Sequence, residues 1–190
     1  MKDNFYIFLD IDGVLWDWKF LLDKIKAKET LLTDFKFKPE SVDALNYLIY
    51  CIDDKYDAKL VISSTWRADM FLTKSTLYKN GLIYNKEMES TPVLPLSIPK
   101  KRGSEIRRFL EQKNEMENYV VIDNNEFDFA KTLNMDKFIK TNGKYESLTY
   151  DLVDKFLEKN TDIIENFTDV KENSSEKFRY NSKDFEELTI

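Results

Sequence analysis

An apolar run near the amino terminus, ending in two acids, is the feature that most constrains the fold of this chain. Residues 5–9 read Phe-Tyr-Ile-Phe-Leu, and Asp10, Asp12 and Gly13 follow. A continuous apolar run of this kind predicts a strand that is buried inside a parallel sheet. Open sheets of this class bind ligands at the carboxyl ends of their strands, where both acids would lie. Two carboxylates so close together repel each other unless a cation lies between them, so the pair indicates a divalent metal and a phosphate.

Strand and helix patterns alternate along the rest of the chain. Strands are predicted at 5–10, 59–63, 119–123 and 138–140, and helices at 39–52, 68–79, from 103 or 104 onward, and 147–159. The proline-rich stretch 90–99 is predicted to be an irregular loop. This alternation predicts an α/β fold with right-handed crossovers, in which a central parallel sheet lies between two layers of helices.

The composition narrows the chemistry that the chain can perform. It contains no His, which excludes His-based triads and His metal ligands, so acid–base work falls first to carboxylates. Cys51 is the only cysteine and lies in an apolar helical pattern, so we expect a core residue. A single cysteine permits no internal disulfide, and we expect a cytoplasmic setting.

The charge and hydropathy of the chain bear on its partners. Lys and Arg number 29 and Asp and Glu 35, which gives a net charge of −6. This balance lacks the basic character of tight, non-specific nucleic-acid binding, although it leaves room for a local basic groove. No apolar run approaches the length of a membrane span, so no membrane partner is expected.

The second predicted strand ends in Ser63-Ser64-Thr65-Trp66-Arg67. A hydroxyl and the adjacent backbone N–H groups at such a strand end can hold a phosphate oxygen. Ser63, the first polar residue after the strand, is favoured for this task, with Ser64 as the alternative. Arg67 is predicted to bind substrate, because a planar guanidinium can grip a phosphate with two hydrogen bonds.

Four stretches resemble, in order, the four motifs of the haloacid dehalogenase (HAD) superfamily of phosphohydrolases. They are Asp-Ile-Asp-Gly-Val-Leu from Asp10, the strand that ends at Ser63, the basic cluster 100–102 before a helix, and Val-Val-Ile-Asp ending at Asp123. The resemblance implies a HAD-like three-layer fold. No long insertion separates the motifs, so no large cap domain is expected. An Asp at position 12 favours a phosphatase over a dehalogenase.

The resemblance also implies roles for individual residues. Asp10 would be the nucleophile that forms an aspartyl-phosphate, and Asp12 the acid and base that serves the leaving group and the water. Ser63 or Ser64 and Arg102 would stabilise the phosphoryl group. Lys101 and Lys100 are alternatives to Arg102, and Lys101 is also a candidate substrate contact.

A Mg²⁺ site is implied at the same place. Its ligands would be Asp10, Asp123 and the backbone carbonyl of Asp12, with Asp128 as a further ligand or an outer partner. Asn124 stands where many relatives carry a second Asp. This departure leaves open which group is the second acidic anchor.

The substrate is less well defined by the sequence. Ser-Ser-Thr-Trp-Arg and Arg-Gly-Ser-Glu-Ile resemble stretches in small HAD domains of RNA-repair proteins and in related stand-alone phage and bacterial proteins. That resemblance implies removal of phosphate from a nucleic-acid end or a nucleotide. Trp16 and Trp18 follow the first motif and could stack on a base. The alternatives are a phosphomonoesterase for another small molecule and a non-catalytic module that binds nucleotide or phosphate.

Two parts of the chain are distinguished. Residues 1–160 are predicted to form the HAD-like domain, and residues 161–190 an acidic extension that is either a tail or a docked helix. The oligomeric state is left open.

Overall fold

Five parallel strands form a single sheet in the centre of the protein. The structure, a computed structural model, describes residues 2–27, 35–95 and 101–163. The strands are β1 Asn4–Leu9, β2 Asp57–Ile62, β3 Glu89–Ser90, β4 Tyr119–Asp123 and β5 Phe138–Lys140. Their order across the sheet is β3-β2-β1-β4-β5, and every neighbouring pair is parallel. The predicted α/β fold with a central parallel sheet is therefore confirmed.

Helices cover both faces of the sheet. They are α1 Trp18–Lys26, α2 Pro39–Lys55, α3 Met70–Lys79, α4 Arg102–Lys113, α5 Phe129–Thr132 and α6 Tyr150–Lys159. Alternate residues of β1 point to opposite faces. Phe5, Ile7 and Leu9 pack in one apolar cluster with α2 and α6, and Tyr6 and Phe8 pack in another with α4 and α5.

The register of the strands determines where the site lies. Leu9 at the end of β1 pairs with Ile62 of β2 and with Ile122 of β4. Asp10, Ser63 and Asp123 are the next residues of these three strands, so they emerge side by side. All three lie at the carboxyl edge of the sheet, as the sequence pattern predicts for ligand-binding residues.

Some element boundaries differ from the predicted ones. The helix predicted from residue 68 begins at Met70, because Thr65–Asp69 form a 3₁₀ turn and Asp69 accepts the N–H of Leu72 as a cap. Strand β3 and helix α1 were not predicted. β3 has only two residues, too few for a periodic pattern, and α1 is capped by Asp17 and has no buried residue.

Three other predictions can be compared with the structure. Cys51 is fully buried in the core, as expected. Within the described residues, no large cap domain is present, and no helix is both long and apolar enough to cross a membrane. Of the predicted extension, Thr161–Ile163 is described and Ile163 is buried. Residues 164–190 and Lys100 lie outside the described residues.

Candidate active site

A single guanidinium joins the two buried carboxylates at the carboxyl edge of the sheet. Arg102 Nη1 lies 2.8 Å from Asp10 Oδ1 and 2.7 Å from Asp123 Oδ2. Asp10 is 4% exposed and Asp123 is 0% exposed. Arg102 is the first residue of α4, so the start of this helix supplies the cation. The structure thus brings together Asp10, Asp123 and Arg102, which lie far apart in the sequence.

Burial changes the proton affinity of these carboxylates. Burial raises the pKa of Asp10, although the nearby Arg102 and a hydrogen bond from Ser64 oppose the increase. Burial and the negative charge of Asp10 raise the pKa of Asp123 to about 7. One guanidinium therefore does not fully offset two buried carboxylates, and a further cation beside them would favour their ionised forms.

The second acid of the first motif is oriented by a tryptophan. Trp66 Nε1 donates a hydrogen bond of 2.9 Å to Asp12 Oδ1. The indole itself makes an edge contact with the ring of Phe35 and a tilted contact with the ring of Phe37, whose centroids lie 5.5 and 5.9 Å away. Trp66 was not predicted as a site residue. The signal for it was its place in the Ser-Ser-Thr-Trp-Arg stretch, two residues after the strand-end serines.

A cavity of about 450 Å³ opens over these groups. Its lining includes charged, aromatic and amide side chains: Asp10, Asp12, Arg102, Trp16, Trp18, Asn124, Asn125 and Phe127. Trp18 is 51% exposed, whereas the Nε1 of Trp16 is buried and has no hydrogen-bond partner among the described residues. Trp16 lines the same cavity as Asp10 and Asp12, and its substrate contact stays a prediction.

The two strand-end serines occupy different positions. Both are fully buried. The Ser64 side chain lies close enough to Asp10 to oppose the rise in the pKa of that carboxyl, and its Oγ accepts the N–H of Trp66. Ser63 Oγ has no partner within the described part of the chain. The structure therefore places Ser64 beside the predicted nucleophile, and neither serine lines the cavity.

Two predicted substrate-binding residues, Arg67 and Lys101, have protein partners. Arg67 contacts Ser63 O, Thr91 and Glu105 and does not line the cavity. Lys101 Nζ donates to the carbonyl oxygen of Leu94 rather than reaching the cavity. Both side chains therefore turn toward chain segments that flank the site, and their substrate contacts stay predictions.

Asp128, predicted as a further metal ligand or an outer partner, binds the start of α4 in the structure. Its Oδ1 accepts the N–H of Gly103 at 2.6 Å, and its Oδ2 accepts the N–H and the hydroxyl of Ser104 at 3.0 and 2.6 Å. Both oxygens are used at the start of α4, where a carboxylate balances the positive end of the helix dipole. Asp128 therefore supports the helix that carries Arg102.

Two further features of the site were not predicted. The ring of Phe127 lies 4.6 Å from the guanidinium carbon of Arg102, and its φ of 40° is unusual for a bulky residue. The side chain of Asn124 fits between Gly13 and Gly143, because a Cβ at either glycine would lie 2.4 Å from its amide nitrogen. No sequence pattern links Phe127 to Arg102, or Asn124 to the two glycines. These residues come into contact only when the chain folds.

The available donors fit a magnesium ion. Among the described residues, no three or more acidic, His or Cys side chains converge on one point. Mg²⁺, however, binds in many phosphoryl-transfer sites through one or two carboxylates, with waters and substrate phosphate completing the shell. Asp10 and Asp123 supply two buried carboxylates that lack full charge compensation, and Asn124 lines the same cavity as Asp10.

A comparison with protein families shows which family this chain belongs to. Residues 6–150 match the family described as the HAD domain in Swiss Army Knife RNA repair proteins. The chain belongs to this family. The matched region contains every residue of the site described above. Neither the curated proteins nor the solved structures that were searched contain a match. Membership indicates that this HAD domain is a phosphohydrolase of the HAD type, in the context of nucleic-acid repair.

Proposed function

We propose that this HAD domain is a Mg²⁺-dependent phosphatase that acts through an aspartyl-phosphate on Asp10 and removes phosphate from a nucleic-acid end or a nucleotide. The observation that carries the proposal is the group formed by Asp10, Asp123 and Arg102, with Asp12 beside it in one open cavity. A nucleophile, an acid–base group and a fixed cation are what phosphoryl transfer requires of a protein.

In the first step, a carboxylate oxygen of Asp10 attacks phosphorus while the bond to the leaving oxygen breaks. Asp12 gives its proton to that oxygen, and the Trp66 hydrogen bond fixes the direction of its carboxyl group. The hydroxyl of Ser63, which lacks a partner among the described residues, supports the proposal that it contacts a phosphoryl oxygen.

In the second step, water attacks phosphorus, Asp12 takes a proton from this water, and the bond between phosphorus and Asp10 breaks. Inorganic phosphate leaves, and the Asp10 carboxylate is restored. Arg102 balances charge on Asp10 in both steps. Mg²⁺, held by the Asp10 and Asp123 carboxylates and the backbone carbonyl of Asp12, would supply the charge that lets a carboxylate approach an anionic phosphate.

The open cavity and its aromatic wall favour a nucleic-acid end or a nucleotide as the substrate. Trp18 is half exposed at the rim, and the turn at 142–144 lines the cavity as well. An exposed indole beside a phosphate site suits a nucleobase, because base stacking on aromatic rings is tolerant of sequence. The repair context of the family supports the same class of substrate.

The test is release of inorganic phosphate with Mg²⁺ from p-nitrophenyl phosphate, nucleoside 3′- and 5′-monophosphates, and oligonucleotides with a 3′- or 5′-phosphate. We expect Asp10→Asn to abolish release and Asp54→Asn, at an exposed acid on α2, to leave it unchanged. Binding of nucleotides without Asp10-dependent release from any substrate would instead support a binding module. A preference for the non-nucleotide ester would contradict the substrate class.

A further inference from the structure

Arg67 forms a buried ion pair that lies outside the cavity. Its Nη2 lies 2.7 Å from Glu105 Oε2, and its Nη1 donates to Ser63 O at 3.0 Å and to Thr91 Oγ1 at 2.9 Å. The two charged side chains are 12% and 2% exposed. A guanidinium has five donors in a rigid plane, so one Arg67 side chain can hold three partners in fixed directions.

The first partner belongs to the strand end beside the nucleophile. Arg67 holds the carbonyl of Ser63, and the peptide that follows this carbonyl carries the N–H of Ser64. Because a trans peptide is planar, fixing the carbonyl also fixes that N–H in the opposite direction. The Ser64 side chain in turn lies close enough to Asp10 to oppose the rise in the pKa of that carboxyl. Arg67 thus acts on the backbone of the residue that contacts the nucleophile.

The second partner belongs to the helix that carries Arg102. Glu105 lies in the first turn of α4, three residues after Arg102, and its Oε1 accepts the N–H of Leu94 at 3.1 Å. Glu105 therefore fastens the start of α4 to the loop after β3 and, through Arg67, to the end of β2. Asp128 fastens the same helix start to the loop after β4.

We infer that Arg67 and Glu105 are positioning residues, whose ion pair sets the start of α4 against the Ser63–Ser64 turn so that Arg102 reaches both Asp10 and Asp123. The inference rests on the proposed phosphatase function. Neither residue touches the substrate, which distinguishes this role from the phosphate contact that the sequence alone indicated for Arg67.

Arg67→Lys tests the inference through the kinetic constants. Lysine keeps the charge but is a point donor that cannot reproduce the planar geometry toward three partners. We expect kcat to fall about 10²-fold, the size of effect that a small misplacement of catalytic groups produces. KM should change little, because no substrate contact is lost. A raised KM with kcat retained would identify Arg67 as a substrate contact and overturn the inference.

Arg107→Lys is the matched control. Arg107 lies on α4, the helix of Glu105, and pairs with Glu111 at 3.0 Å, but both side chains are about half exposed. Exposed pairs contribute little, so neither kcat nor the melting temperature should change.

The double variant Arg67→Met with Glu105→Met separates positioning from stability. Apolar residues of similar volume often replace a buried ion pair without loss of stability. We expect a melting temperature above that of either single Met variant, with kcat still reduced because Ser63 and Leu94 are no longer held. Recovery of kcat together with stability would overturn the inference. A wild-type protein without Asp10-dependent phosphate release would overturn the proposed function itself.

Discussion

At the scale of single residues, neighbouring side chains orient two groups of the site, the Arg102 guanidinium and the Asp12 carboxyl. Arg102 is held by two carboxylates and stacks against the Phe127 ring, and Asp12 accepts a hydrogen bond from Trp66. A carboxyl group that both gives and takes a proton must point at the leaving oxygen and later at the water. The Trp66 hydrogen bond restricts the rotation of Asp12 and so favours both geometries.

Trp66→Phe isolates this effect. Phenylalanine keeps an aromatic ring for packing against Phe35 and Phe37 but cannot donate to Asp12. A hydrogen bond to a charged group is worth about 1.5–3 kcal/mol, so we expect kcat to fall about tenfold or more while the fold is retained. Steady-state kinetics with thermal melts would measure both quantities. Trp18→Phe, at the exposed rim, is the comparison; an equal loss of kcat in both variants would contradict the orienting role.

At the scale of elements, close packing of turns shapes the floor of the cavity. The turn after β1 and the turn at Gly143 approach each other with the Asn124 side chain between them. Both glycines have positive φ, 81° at Gly13 and 70° at Gly143. A side chain at either position would meet both backbone strain and the amide of Asn124.

Gly143→Ala and Gly81→Ala separate these two costs. Gly81 has a φ of 93° and open space around it, so its substitution adds backbone strain alone. We expect Gly81→Ala to lower the free energy of unfolding by about 1–2 kcal/mol. Gly143→Ala should lower it by about 1–3 kcal/mol more, the usual cost of overpacking. Denaturant unfolding measures both values. An equal decrease in the free energy of unfolding in the two variants would show that the Asn124 side chain moves aside without cost.

The sequence predicts those parts of the site that lie at strand ends. The apolar runs before Asp10, Ser63 and Asp123 define parallel strands, and parallel strands bring their carboxyl ends to one edge. The partners of Arg67 and Asp128 were not predictable in this way. Arg67 and Glu105 are separated by 38 positions, and their contact depends on how α4 is placed against the sheet. Asp128 looks equally suited to a metal and to a helix start in the sequence.

At the scale of the whole molecule, the described residues form one layered domain whose core extends past residue 160. Ile163 is fully buried in the cluster that contains α2 and α6. Lys55 Nζ also donates to Asp162 O at 2.8 Å. A boundary at residue 160, as the composition of the sequence suggested, would remove these contacts. We therefore propose that the domain includes Ile163.

Two shortened chains test this boundary, one ending after Asn160 and the other after Ile163. Deleting a buried isoleucine side chain costs about 2–5 kcal/mol, so the shorter chain should melt at a clearly lower temperature. Ile163→Ala in the full chain should reproduce most of the loss. If the two shortened chains melted at the same temperature, the core would end at Asn160.

The covalent intermediate on Asp10 is the central claim, and chemical trapping tests it most directly. The protein would be mixed with its best phosphate substrate and Mg²⁺, quenched, and treated with borohydride, which reduces an acyl phosphate to an alcohol. Mass spectrometry of the peptide that spans residue 10 would then find homoserine in place of Asp10. A turning-over enzyme with an unmodified Asp10, or with homoserine at another acid, would contradict the account.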